Sequence, residues 1–211
     1  MTVVGNPSQW IGLIDSLLPN IFQLVAASWR AMPPLAPDAL EDPATEAFCK
    51  VLRQNRNASD LPFRIDTQMV ELEPAAGQDQ GRLDIAFSPL VNREDVYFCL
   101  ECKRLNVPQN PGVRTYANEY VVFGMMRFVT GQYGAVVRHG GMLGYVLDGK
   151  VDAAIGNVLA AIVRHATDLG TTQPVRLTPS SIEPTNPHMR ETPHQRGGTL
   201  GAFLIHHIFV A

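Results

Sequence analysis

Gly81-Arg82-Leu83-Asp84-Ile85-Ala86-Phe87 and Val96-Tyr97-Phe98-Cys99-Leu100-Glu101-Cys102-Lys103 are the two stretches whose reading decides the fold. Each is an apolar run of strand length, and the first follows a Gly-containing turn. Side chains alternate faces along a strand, so Glu101 and Lys103 point the same way. If the two strands pair, as their closeness in sequence suggests, Asp84 faces that same spot. Two carboxylates and an ammonium then converge at the end of a hydrophobic sheet. Charges there are costly unless they bind something. Two hard oxygen ligands suit Mg²⁺, and an adjacent Lys suits activation of water or the steadying of a phosphate.

This arrangement resembles the PD-(D/E)xK nuclease superfamily of restriction-endonuclease-like proteins. That family places an acidic residue on one strand and (D/E)-x-K on the next. Here the elements are Asp84 and Glu101-Cys102-Lys103, with sixteen residues between the two acids. Leu83 stands where the family name has Pro. The resemblance covers residues 42–148. It implies a three-layer core with a mixed central sheet, a Mg²⁺ cofactor that Mn²⁺ can replace, and cleavage leaving a 5′-phosphate. It also implies Asp84 and Glu101 as metal ligands, joined by the Cys102 carbonyl, with Lys103 as the remaining catalytic group. The acid-x-Lys tripeptide alone is a weak signal. Its position is the stronger one, because of only three lysines, Lys50, Lys103 and Lys150, one falls at the end of an apolar strand.

Composition sets bounds. A chain of 211 residues, 45% hydrophobic and 18% charged, suffices for one sizeable α/β domain. Its formal charge of −3 excludes a strongly basic nucleic-acid coat and leaves a local patch as the route to a polyanion. Three cysteines form no disulfide framework, and no second Cys/His pair at finger spacing accompanies Cys99-x-x-Cys102. A reducing cytoplasm is the expected compartment. The apolar segment from Trp10 to Met32 lacks a basic leader and is interrupted by Asp15 and Pro19-Asn20, so no signal peptide or membrane span is expected.

Helical spacing over residues 8–31 predicts one broken helix or two short ones, split at Pro19. With the Pro-rich run 32–37 this makes an N-terminal helical extension (1–37) ahead of the nuclease-like domain (38–211). A helix opens at Asp42-Pro43, with Asp42 as N-cap, and runs to residue 54 or 56. Strands follow at 63–73, 82–88 and 95–103. A loop at 104–113 leads to a helix at 114–131, a strand at 142–147 and an amphipathic helix at 151–169. The tail holds a short strand at 175–177, a loop at 184–198 and a last strand at 200–210. From residue 42 the order is helix, three strands, helix, strand, which suits a sheet covered by helices.

Glu46, in the first turn of its helix, reaches the metal or merely favours the helix N-terminus. Arg104, Arg114, Arg127, Arg190 and Arg196 are the candidate phosphate contacts. Arg190 and Arg196 lie with His188 and His194 on what reads as a basic loop. Tyr116, Tyr120, Arg127 and Tyr133 line a nucleic-acid groove or belong to the core. His206 and His207 are adjacent and so face opposite sides of the last strand. The expected activity is metal-dependent phosphodiester hydrolysis, in DNA, by a homodimer, as paired cutting of a duplex suggests; the apolar Trp10–Trp29 segment packs on its own domain or joins the two copies. The alternative is a non-catalytic nucleic-acid-binding or scaffold subunit on the same fold.

Overall fold

The computed structural model describes residues 7–91 and 95–211 of the chain. Helix α1 (Pro7–Ala31) is followed by α2 (Glu41–Ala58) and by strands β1 (Phe63–Val70), β2 (Arg82–Pro89) and β3 (Phe98–Leu105). A two-stranded hairpin, β4 (Val107–Pro108) and β5 (Val113–Arg114), occupies the expected loop. The next helix, α3 (Ala117–Tyr120), passes through a π-helical turn (Val121–Met125) into α4 (Met126–Val129). Then come β6 (His139–Val146), α5 (Val151–Arg164), β7 (Thr178–Pro179), β8 (Met189–Arg196) and β9 (Gly201–Val210).

Seven strands form one mixed sheet in the order β1-β2-β3-β6-β9-β8-β7. β1, β2 and β3 are antiparallel neighbours. β3 and β6 run parallel, as do β6 and β9, and the β9-β8-β7 edge is antiparallel again. The parallel centre is apolar nearly throughout, as a sheet covered on both faces requires. Helices α1 and α2 cover one face. Phe22 of α1 lies 6.0 Å from the Phe98 ring and 5.1 Å from His206, and Trp29 stacks on Tyr145. The other face carries α3–α4 and α5. There Tyr120 stacks over His207 and Phe209, and Phe128 over Phe203. Gly140 lets that last pair close, because a Cβ at 140 would lie 2.5 Å from the Phe128 ring.

Several expectations are corrected. Helix α1 is continuous through Pro19. Interior Pro costs about 3 kcal/mol in a helix. Its buried stripe of Ile14, Leu17, Leu18, Ile21, Phe22 and Val25 outweighs that by packing into the same core as the sheet. Residues 9–31 are long and apolar enough to cross a membrane, but that stripe is spent inside the chain. Helix α2 starts at Glu41, with Leu40 as N-cap, so Asp42 sits inside the first turn. Residues 189–196, expected as loop, form strand β8, whose inward side chains Thr192, His194 and Arg196 are buried.

Those inward groups explain how polar residues fill the second core layer. The Leu169 carbonyl can only accept, so His194 donates to it from Nδ1 at 2.8 Å. Its Nε2 must then accept from the Thr192 hydroxyl at 2.7 Å. Thr192 in turn accepts from His207 Nε2 at 2.8 Å, and Tyr120 donates to His207 Nδ1 at 2.9 Å. This is the arrangement with both rings neutral. Burial agrees: it lowers His194 to about 4 and His206 to about 3, and holds His207 well below the ordinary range. A histidine with a depressed folded pKa lends stability above its unfolded pKa and loses it as pH falls. His194 and His206 are each worth about 2 kcal/mol of lost stability at about pH 5 relative to neutral pH. The raised carboxyl of Glu101, at about 7, opposes this in part. The urea-unfolding midpoint is expected to fall between about pH 7 and about pH 5; an unchanged or rising midpoint would contradict the network.

Candidate active site

β2 and β3 pair through Ile85↔Leu100, Ala86↔Cys99 and Phe87↔Phe98, which sets Asp84 next to Glu101 at the point where the ladder ends. Asp84 replaces the missing rung with its side chain. Its Oδ2 accepts from the Cys102 N–H at 2.7 Å. Its Oδ1 receives only a long contact, 3.4 Å, from Gln68 Nε2. Glu101 and Lys103 project from the same face of β3, and Lys103 Nζ donates to Glu101 Oε1 at 2.8 Å. Cys102, between them, points to the α1–α2 face and is fully buried.

A fourth element closes the cluster. Glu41, the first residue of α2, accepts from Lys103 Nζ at 3.0 Å through Oε1 and from the Arg104 N–H at 3.0 Å through Oε2. Glu46 is exposed and lies five residues on, about 140° around the helix from Glu41. The helical carboxylate at the site is thus Glu41 and not Glu46. The error follows from the helix start: reading Asp42 as N-cap left Glu41 outside the helix. The first-turn position was the right signal for a carboxylate facing the strand end.

Arg127, from α4, enters from the other side. Its Nη1 donates to Glu101 Oε1 at 2.9 Å and to the Tyr133 hydroxyl at 2.6 Å. The π-helical turn precedes Arg127, and Gly124 in that turn packs on Met142: a Cβ there would lie 2.3 Å from the Met142 methyl and at an ordinary contact, 3.7 Å, from Glu101 Cγ. Such turns occur often at functional sites.

Glu101 is 1% exposed, and its Oε2 is buried without any hydrogen-bond partner. Burial raises its carboxyl to about 7, against the opposing pull of Lys103. Burial also raises Asp84, with Lys103 opposing. For Lys103 burial works to lower the pKa, but Glu101, Glu41 and Asp84 outweigh it and hold the ammonium above its ordinary value. All three of its N–H donors are used, on Glu41, Glu101 and the Cys102 carbonyl. That carbonyl, expected as a metal ligand, accepts from Lys103 in this structure.

Among the described residues no group of three or more His, Cys, Asp and Glu side chains is placed to hold a metal by itself. The oxygens left open are Glu101 Oε2 and Asp84 Oδ1. A pair of carboxylate oxygens with solvent completing the shell is how Mg²⁺ is commonly held. The residues present therefore fit such an ion, and the unpartnered Oε2 is the observation that says so.

The other expected contacts divide. Arg104 and Arg114 flank one ring, with their guanidinium carbons 5.3 and 4.1 Å from the centre of Tyr116. Arg104 also donates to the Ala39 carbonyl, and Arg114 to Glu119. Tyr120 and Tyr133 are buried in the core. Arg190 is half-buried on β8, paired across β7 and β9 and away from the cluster. Arg196 is 3% exposed and donates to the carbonyls of Gly134, Val137 and Leu200. It is a structural tie and not a phosphate contact. Compared with known protein families, curated proteins and solved structures, the chain matches none.

Glu101 carries a folded pKa raised to about 7, so its stabilising contribution exists at acid pH and is lost as pH rises through that value. Glu101→Gln should therefore stabilise the metal-free protein at about pH 8, by roughly 1–3 kcal/mol. Thermal melts of the two proteins in chelator check this; a lower Tm for the variant at that pH would refute the buried-charge cost.

Proposed function

We propose that the chain is a divalent-metal-dependent nuclease that hydrolyses phosphodiester bonds, with DNA as its substrate. The observation that carries the reading is the convergence of Asp84, Glu101 and Lys103 at one strand end, with Glu101 Oε2 buried and unpartnered. A buried carboxylate oxygen without a donor costs about 1–3 kcal/mol or more. A bound cation would offset that cost. Supporting the family resemblance, the order α2, β1, β2, β3, α3–α4, β6 has the helix-strand-strand-strand-helix-strand form, with β3 beside β6 in parallel. In this reading the sheet is a restriction-endonuclease-like core.

Asp84 and Glu101 would hold the metal through the two open oxygens. Bound there, Mg²⁺ supplies a Lewis acid for the phosphoryl group and lowers the pKa of a coordinated water. Lys103, kept charged by three carboxylates, neutralises negative charge that develops on the phosphoryl oxygens. To reach them it gives up one of its three bonds, and the bond to half-exposed Glu41 is the one nearest solvent. Glu41 thus positions the ammonium before substrate arrives. Arg127 holds Glu101 from the opposite side and keeps Oε1 from turning toward the metal.

The second reading is a nucleic-acid-binding subunit without turnover. It is favoured by the same saturation of Lys103 and by Arg127 already occupying Glu101. A cleavage panel separates the two. Supercoiled, linear, branched and single-stranded DNA and RNA are incubated with Mg²⁺ or Mn²⁺. Cleavage is expected to fall on the order of 10²–10³-fold in Asp84→Asn, Glu101→Gln and Lys103→Ala, as for loss of a group that stabilises the transition state. Full activity in any of the three would remove the assignment. Glu41→Gln is expected to slow cleavage, whereas Glu46→Gln leaves it unchanged; the reverse order would return Glu46 to the site.

A further inference from the structure

Phe123 stands in the π-helical turn with 58% of its surface exposed. Its neighbours Val121, Gly124 and Met125 face the core. An aromatic ring left outside a packed helix contributes nothing to that core. What lies around it is chemically specific. Gly124, the next residue, faces Met142 and Glu101. Arg127, one turn on along the same flank, is bonded to Glu101. Glu119, one turn back, is paired with Arg114, whose guanidinium covers the Tyr116 ring. The opposite flank is taken up by α5, through Asn118 and His165.

We propose that Phe123, lying between Arg114 and Arg127 in the chain, is a stacking platform for an unpaired base, so that the substrate reaches the site as single-stranded or frayed nucleic acid. The inference rests on the nuclease reading for the use of the site, but its binding part stands without turnover. Aromatic faces stack only on bases whose own faces are free, and in an intact duplex they are covered. Electrostatics alone are a poor source of affinity here. Arg114 and Arg127 already have carboxylate partners, and the whole chain carries a formal charge of −3. Phosphate contacts by three arginines give register, and stacking supplies the preference for an open strand. The Tyr116 ring is already covered by Arg104 and Arg114 and holds those guanidiniums in place beside the site.

Binding is measured by fluorescence anisotropy in the Lys103→Ala background with Mg²⁺, using labelled oligothymidylate and a blunt DNA duplex of equal length. The single strand is expected to bind more tightly than the duplex. Phe123→Ala should weaken single-strand binding about five- to 150-fold and leave the duplex nearly unchanged, as for loss of one stacked base. Phe123→Trp should restore it. Arg114→Ala should weaken both ligands alike and flatten the salt dependence by about one unit of slope. Equal losses on strand and duplex, no effect of Phe123→Ala, or no binding of either ligand would each overturn the platform. A copy-to-copy association abolished by Phe123→Ala, with oligonucleotide binding intact, would overturn it in favour of self-docking. Strand binding that depends on Phe123, in a protein inactive across the cleavage panel, would overturn the nuclease reading and leave the platform standing.

Discussion

Glu101 is a carboxylate almost wholly removed from water, and the elements around it are arranged by that fact. Desolvating an ion costs several kcal/mol unless partners replace its water. Lys103 and Arg127 both donate to Oε1, from β3 and α4. Lys103 carries the constraint onward to Glu41 at the head of α2, and the Cys102 amide carries it to Asp84 on β2. Four elements distant in sequence are thereby fixed to one point. The compensation is incomplete, since Oε2 has no donor and the carboxyl sits at about 7. A fold selected for stability alone would place a neutral side chain here.

The strands, with their apolar alternation, and the placing of Asp84, Glu101 and Lys103 on one sheet end were legible in the sequence. These rest on the period of two, which does not depend on tertiary context. The misreadings share another origin. Pro19 and Asp42-Pro43 are local signals, and packing overrode both: α1 keeps its helix through Pro19 because its apolar stripe is buried on one side. Residues 189–196 looked like a polar loop because Arg196 and His194 were taken as solvated. Their partners, the carbonyls of Gly134, Val137 and Leu200 and of Leu169, come from segments that no local pattern links to β8. Arg127 was identified as a cation near the motif, but its bond to Glu101 was not legible, and the sequence does not announce the π-helical turn that precedes it.

Charge bookkeeping in the cluster then bears on chemistry. Lys103 and Arg127 face Asp84, Glu101 and Glu41, so the ionised site carries one net negative charge. Arg104 meets Glu41 only through its backbone N–H, and its guanidinium lies on the Ala39 carbonyl and the Tyr116 ring. A phosphodiester carries one further negative charge and would meet two carboxylates at close range. At an effective dielectric near 20, like charges about 4 Å apart repel by about 4 kcal/mol. In the nuclease reading proposed above, a divalent cation held by Asp84 and Glu101 would offset that repulsion, so metal and substrate binding would be coupled.

The pairing of the cations bears on the strand binding proposed above. Arginines already held by Glu119 and Glu101 would contribute register more than affinity. The exposed Phe123 ring on the same flank would add stacking, which selects for open bases. Beneath α3, Tyr120, His207, Thr192 and His194 form one buried hydrogen-bonded chain that ties the helix to β8 and β9. In the proposed reading this tie would hold the flank bearing Phe123 and Arg127 in fixed relation to Asp84 and Glu101 on the strands.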